Sequence, residues 1–274
     1  RDLRVAPETI QRHTARLARH CMLFPLEQWR LAPPTGPLVI DGFESFEYSQ
    51  YHPFHHNLAV EADTGFVLYH TDSEMRRKGR MTDAQKRRRA QIEDLHGRPS
   101  PRAIREGMTE LLAVSLARAS RAIVRSDEHR AYPPAVRGVR CESRHEVTSS
   151  RKARTSRNPL FAVNELDLLI RHSQSNHKRE TIAFSKRRQG SAERLSVLQV
   201  WRNYVKSYRE KRPGTTPAML KGLVARPLRI GDILKKRLFP GRIRIPERWW
   251  EYYLRRVETR ELPVNRRHDL AYAF

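Results

Sequence analysis

Two short apolar runs, each closed by an aspartate, constrain this chain most. Pro37-Leu38-Val39-Ile40 leads into Asp41, and Ala122-Ile123-Val124-Arg125-Ser126 leads into Asp127. Both are short, rich in β-branched residues and bounded by turn or charged residues, which predicts buried strands. A carboxylate at the tip of a buried strand is costly unless a cation meets it. A lone aspartate is more often a cap or turn residue. Two of them at neighbouring strand tips predict a metal site.

The order of elements predicts an α/β protein. A helix is expected over 6–21, with Pro7 in its first turn and Ile10, Thr14, Leu17 and Cys21 at helical spacing. After Pro33-Pro34-Thr35-Gly36 come the strand ending at Asp41 and a hairpin, His56 to Val60 and Gly65 to His70, turning at Ala62-Asp63-Thr64-Gly65. An exposed helix is expected over 75–97, a second from Pro101, and then the strand ending at Asp127. Residues 135–147 suggest a short fifth strand, and 149–158 a basic loop. Helices are expected over 159–171 and 191–208, followed by short helices and proline-broken loops with an aromatic cluster at Trp249, Trp250, Tyr252 and Tyr253. Strands, a helical section and a further strand imply a mixed sheet with helices on its faces. We divide the chain into 1–36, a helix and linker that reads either as a packing helix or as the remnant of an N-terminal DNA-binding, helix-turn-helix-like region; 37–210, the domain carrying both candidate aspartates; and 211–274, a basic, mainly helical C-terminal extension.

Charge narrows the partner. The 274 residues carry a net +24. Residues 1–70 hold six arginines, no lysine and eight acids, a net of −2, so residues 71–274 carry +26. Such a balance implies a polyanion, and nucleic acid first. The basic runs Lys86 to Arg89, His177-Lys178-Arg179 and Lys186-Arg187-Arg188 are candidate phosphate contacts. Two cysteines without a CxxC pattern give neither a disulfide framework nor a zinc-ligand spacing, which fits a reducing cytoplasm. No apolar run approaches the ~20 residues of a membrane span. The chain begins with Arg1 rather than Met, as a fragment of a longer protein would.

Asp41 and Asp127, 86 residues apart, with an acid about 40 residues further on the 159–171 helix, form the candidate triad. Two-metal phosphoryl transfer needs carboxylates that hold two Mg²⁺ ions about 3.5–4 Å apart. Mg²⁺ takes hard oxygen ligands and keeps several waters, so few carboxylates suffice.

Three stretches carry a family resemblance: Asp41-Gly42-Phe43-Glu44-Ser45, Ser126-Asp127-Glu128-His129-Arg130-Ala131-Tyr132 and, most specifically, Arg179-Glu180-Thr181-Ile182-Ala183-Phe184-Ser185-Lys186. Over about residues 37–207 the chain resembles DDE-type transposases, and among them the insertion-sequence-one family of bacterial transposases. The resemblance implies an RNase H-like fold and metal-dependent DNA cleavage and strand transfer with Mg²⁺ or Mn²⁺. It also implies double-stranded DNA as partner, a homo-oligomer on DNA and a nucleoid-associated protein in the bacterial cytoplasm. The position matching the family's catalytic glutamate is Asn164, a poor Mg²⁺ ligand. Asp167 shares a helix face with Asn164 and Arg171, whereas Glu165 is turned about 100° away. Asp167 is therefore the first candidate for third ligand and Glu165 the second, and an inactive copy that still binds DNA is the third reading. A nuclease or resolvase that cuts without joining is the other enzymatic alternative.

Overall fold

The computed structural model describes residues 4–178, 184–211 and 213–262. Its centre is a five-stranded sheet in the order β3-β2-β1-β4-β5. β1 (Leu38–Phe46), β2 (Pro53–Glu61) and β3 (Val67–Glu74) form an antiparallel meander. β4 (Arg121–Ser126) and β5 (Glu142–Val147) then run parallel to β1. Three antiparallel strands followed by parallel strands on the far side of β1, with helices in the crossovers, define an RNase H-like α/β fold.

Both faces of the sheet are covered. On one, α1 (Pro7–Trp29), α3 (Ala103–Ser115) and the aromatic residues of α9 (Glu247–Tyr253) pack around Leu38, Ile40, Leu68 and Tyr69. On the other, α5 (Phe161–Ser173) seats Val163, Leu166 and Ile170 on Val39, Phe43, Leu58 and Val60. Each such side chain contributes about 1.5–3 kcal/mol when fully buried. α6 (Arg188–Val200) contributes Ala192 to the first cluster and Leu195 and Leu198 to the second. Met22 and Trp29 of the first segment, the sheet of the second and Trp249 and Tyr252 of the third share one apolar core. Among the described residues no helix is long and apolar enough to cross a membrane.

Several elements depart from their sequence expectations. β1 does not stop at Asp41 but runs on to Phe46, because β2 pairs with it throughout, from Leu38↔Glu61 to Phe46↔Pro53. Asp41 thus lies within a strand, opposite Leu58. Asp127 does follow directly after its strand. β2 is buried at all nine positions although it carries His55, His56 and Asn57. His56 Nε2 bonds Ser191 Oγ at 2.7 Å, and the Asn57 amide donates to Thr71 and Ser73. The expected strand over 135–147 divides into a helical turn, α4 (Tyr132–Arg137), and β5. Pro133 and Pro134 occupy the first turn of α4, where a missing N–H costs nothing.

Two further helices differ in extent. α1 continues through Pro25 to Trp29. α6 begins at Arg188 and passes at Trp201–Val205 into a π-helical turn. α2 (Asp83–His96) matches the charged helix expected over 75–97 and starts on a capping box between Thr82 and Gln85.

Candidate active site

The register of the sheet brings the two aspartates level. β4 pairs with β1 only at Leu38↔Val124 and Val39↔Arg125. Two residues further along that register stand Asp41 and Asp127, where β4 ends and the β1 edge opens. Gly42 lets β1 pass close to β2 here: a Cβ at this position would lie 1.9 Å from the His56 carbonyl oxygen. Any side chain would therefore push β1 away from β2 and move the adjacent Asp41.

Asp41 and Asp127 open onto a cleft of about 670 Å³, whose other walls include Asn164, Asp167, Lys178 and Arg154. The Asp41 carboxyl is pushed up to about 6, first by burial. The Gly42 backbone hydrogen bond and the Tyr132 hydroxyl oppose this shift, while the nearby carboxylates of Asp127 and Asp167 add to it. Tyr132 donates to Asp41 Oδ1 at 3.2 Å, and burial together with the two aspartates keeps its phenol protonated. Asp127 Oδ1 accepts the His129 backbone N–H at 2.9 Å. Burial drives His55 down to about 4 and His177 to about 2, so both are neutral at pH 7 and bring no positive charge to the floor.

α5 presents its two candidate acids differently. Asn164 and Asp167 face the cleft. Both carboxylate oxygens of Asp167 accept from Arg171 Nε, at 3.1 and 3.0 Å, and the Arg171 guanidinium lies 5.5 Å above the Phe43 ring. Glu165 points elsewhere, to Arg202 Nη2 at 3.0 Å. Arg202 is buried, so Glu165 compensates a charge of the core rather than facing the cleft.

The basic candidates also separate. Lys178 is exposed on the cleft wall. Lys186 is exposed, its ammonium 4.0 Å from the centre of the Phe184 ring. Arg187 is half-buried. Arg188, expected to contact phosphate, is instead buried, 3.6 Å from Glu47, 3.1 Å from Asp72 and 2.6 Å from Glu74. Three carboxylates there fully engage its charge. Arg179 and the stretch Glu180-Thr181-Ile182-Ala183, the most specific part of the sequence resemblance, lie outside the described residues. Phe184 lines the cleft.

The sequence reading missed Tyr132 and Arg154 as cleft residues, whereas it placed Arg171 on the helix face that lines the cleft. Tyr132 had a local signal: it stands five residues after Asp127 and directly before Pro133-Pro134, at a helix start beside the strand end.

A divalent cation fits the floor of the cleft. Among the described residues neither Asp41 nor Asp127 has a cationic partner, and the upward shift of Asp41 reports that uncompensated charge. Both are hard oxygen donors, and Mg²⁺ completes its shell with water. Among the described residues no group of three His, Cys, Asp or Glu side chains could hold a metal ion, so a cation here would rest on two carboxylates and water.

No family model matches the chain, and no curated protein matches it. Among solved structures it is similar to a chain of the simian T-cell lymphotropic virus intasome in complex with PP2A regulatory subunit B56 gamma, at 15% identity and a TM-score of 0.33, covering 69% of this chain and 54% of that one. The chain therefore spans about half the length of that neighbour. It is also similar to the HTLV-2 integrase catalytic core domain in complex with magnesium, at 10% identity and a TM-score of 0.26, covering 66% and 92% of the two chains. Likeness at this level carries no argument about chemistry, which rests on the geometry of the cleft.

Proposed function

We propose that the protein is a DDE-type polynucleotidyl transferase that cuts DNA and joins the resulting 3′-hydroxyl to a target, a transposase of the insertion-sequence-one kind working as a homo-oligomer on DNA. The observation that carries this reading is the uncompensated pair Asp41 and Asp127, set level by the β1–β4 register in an open cleft of a strongly basic chain. Asp41 and Asp127 would hold Mg²⁺ or Mn²⁺ jointly, and Asp167 would complete the site on release from Arg171. When bound, such ions supply Lewis acidity to the scissile phosphate and make an attacking water or 3′-hydroxyl a better nucleophile. Tyr132 fixes the Asp41 carboxylate through its hydroxyl. Lys178 and Arg154 offer cations on the cleft walls for the flanking phosphates.

A second reading has its own support. Asn164 at the position of the expected glutamate and the Asp167–Arg171 ion pair both favour a copy that binds DNA but no longer cuts it. The two readings part in one assay. With Mg²⁺, supercoiled DNA is expected to be nicked, a 3′-hydroxyl oligonucleotide to be joined to it, and both products to vanish on chelation. Nicking without joining would mean a nuclease. Asp167→Asn is expected to lower nicking by roughly 100-fold or more, on the scale of a lost transition-state contact. Glu165→Gln is expected to keep nicking within a few-fold and to lower stability by about 1–2 kcal/mol, because the buried Arg202 loses its counter-charge. The reverse pattern would hand the third position to Glu165.

A further inference from the structure

The cleft does not end at the aspartates. Its rim at Glu44, Phe46 and Gln50 is also the rim of a second cavity of about 400 Å³, walled by Arg76, Arg77 and Lys78. Those three side chains in turn line a third cavity of about 310 Å³, closed by Arg89, Arg98 and Arg130. The shared walls make one groove. It runs from the active cleft, past the segment after β3, to the space between α2 and the start of α3.

The cations of this groove differ in how far they are spent. Arg76 is held by Glu93 at 2.7 and 2.9 Å, and Arg89 approaches the same carboxylate at 3.5 Å. The Arg77 guanidinium lies 5.0 Å from the centre of the Tyr51 ring, and its Nη1 is buried without a hydrogen-bond acceptor. Lys78, Arg98 and Arg130 are exposed, and among the described residues none has an ion-pair partner. The acids nearby are mostly engaged: Glu74 is tied to Arg188 and Arg260, and Glu93 to Arg76, so Glu44 is the carboxylate the groove retains. At the junction with the cleft Phe46 keeps 41% of its surface exposed.

We propose that this groove is a second DNA tract, which carries the segment flanking the scissile phosphate away from the catalytic cleft. Lys78, Arg98 and Arg130 contact successive phosphates, and Phe46 offers a stacking face to a base at the exit. A row of unspent cations opening into a phosphodiester-processing cleft matches a continuous polyanion rather than a single small anion. The inference rests on the reading of the cleft as a DNA site and extends that site by one groove.

The test is duplex DNA binding as a function of salt, in the presence of a chelator so that no cutting intervenes. The variant is Lys78→Ala, Arg98→Ala and Arg130→Ala combined. Each phosphate contact contributes a slope near −0.9 in log K against log salt. The slope is therefore expected to flatten by close to three units, with binding on the order of 10²-fold weaker at physiological salt. Exposed substitutions of this kind leave melting almost unchanged, and a melting curve serves as the control for folding. An unchanged slope overturns the groove, even where the wild-type protein nicks DNA normally. A flattened slope sustains the groove, even where Mg²⁺-dependent nicking is absent and the catalytic reading fails. A wild-type protein that does not bind DNA overturns both.

Discussion

Asp41→Asn is expected to abolish metal-dependent DNA cutting, by on the order of 10³-fold or more, while making the metal-free protein more stable. The two effects have one cause. Asp41 is half-buried beside Asp127 without a cation, so its ionised form is costly and its carboxyl stands at about 6. An ordinary aspartate titrates near 3.9. The native state thus holds a proton that the unfolded chain has released between about pH 4 and 6, and stability falls as pH rises through that window. Above it the full cost is present, on the order of 3 kcal/mol. Asparagine keeps the shape and an acceptor for the Tyr132 hydroxyl but carries no charge. Its stability should not show that fall, and at pH 7.5 it should exceed the wild type. Catalysis moves the other way, because several kcal/mol of transition-state charge stabilisation depend on the metal that the carboxylate holds. Denaturant unfolding without metal and nicking assays with Mg²⁺ give the two readings. A variant that cuts at the wild-type rate would remove Asp41 from the site, and one that is less stable than the wild type would mean its charge is compensated.

Asp72→Ala is expected to cost about 3–5 kcal/mol of folding stability, the largest effect we expect from a residue outside the cleft. Asp72 is buried on β3 and accepts from Arg248 at 2.8 and 3.0 Å and from the Tyr252 hydroxyl, while Arg188 approaches its other oxygen at 3.1 Å. Burial alone would raise its carboxyl, but the guanidiniums of Arg188 and Arg248 outweigh it and hold the group below the usual carboxylate range. Removing the acid leaves Arg248 with Glu251 and strips both arginines of a buried counter-charge. The sign in pH is opposite to that of Asp41. A lowered native pKa stabilises above about pH 3.9, the unfolded value, and that stability is lost as pH falls towards the native one. Acid unfolding should therefore begin at higher pH in the alanine variant than in the wild type. A cost under 1 kcal/mol would show that the pairs barely repay their own desolvation. Arg248 and Tyr252 belong to α9, so the same variant should expose the C-terminal segment to proteolysis.

Both predictions turn on carboxylates in strands, yet only one of them was legible in the sequence. Asp41 and Asp127 stood out because an acid after a β-branched run is a local pattern. The Asn164, Asp167 and Arg171 face was legible for the same reason, since helical periodicity is written into the spacing. Asp72 carried no such mark. Its partners Arg188 and Arg248 lie far along the chain, the latter 176 residues away. Nor did the run Lys186-Arg187-Arg188 reveal which member turns inward. That depends on Glu47 and Glu74, 141 and 114 residues from Arg188 in sequence.

By itself the sequence determined the α/β class, the two aspartates, the helix that faces them and the strong positive charge of the chain. All of these follow from short-range pattern and net charge. Only the tertiary structure decided that β1 continues beyond Asp41, that Arg188 and Glu165 serve the core, that Asp167 is tethered to Arg171, and that the cleft extends into the groove of Lys78, Arg98 and Arg130. Each depends on which residues meet across the sheet. Burial and pairing there set whether a charge is spent inside the protein or left free for a ligand.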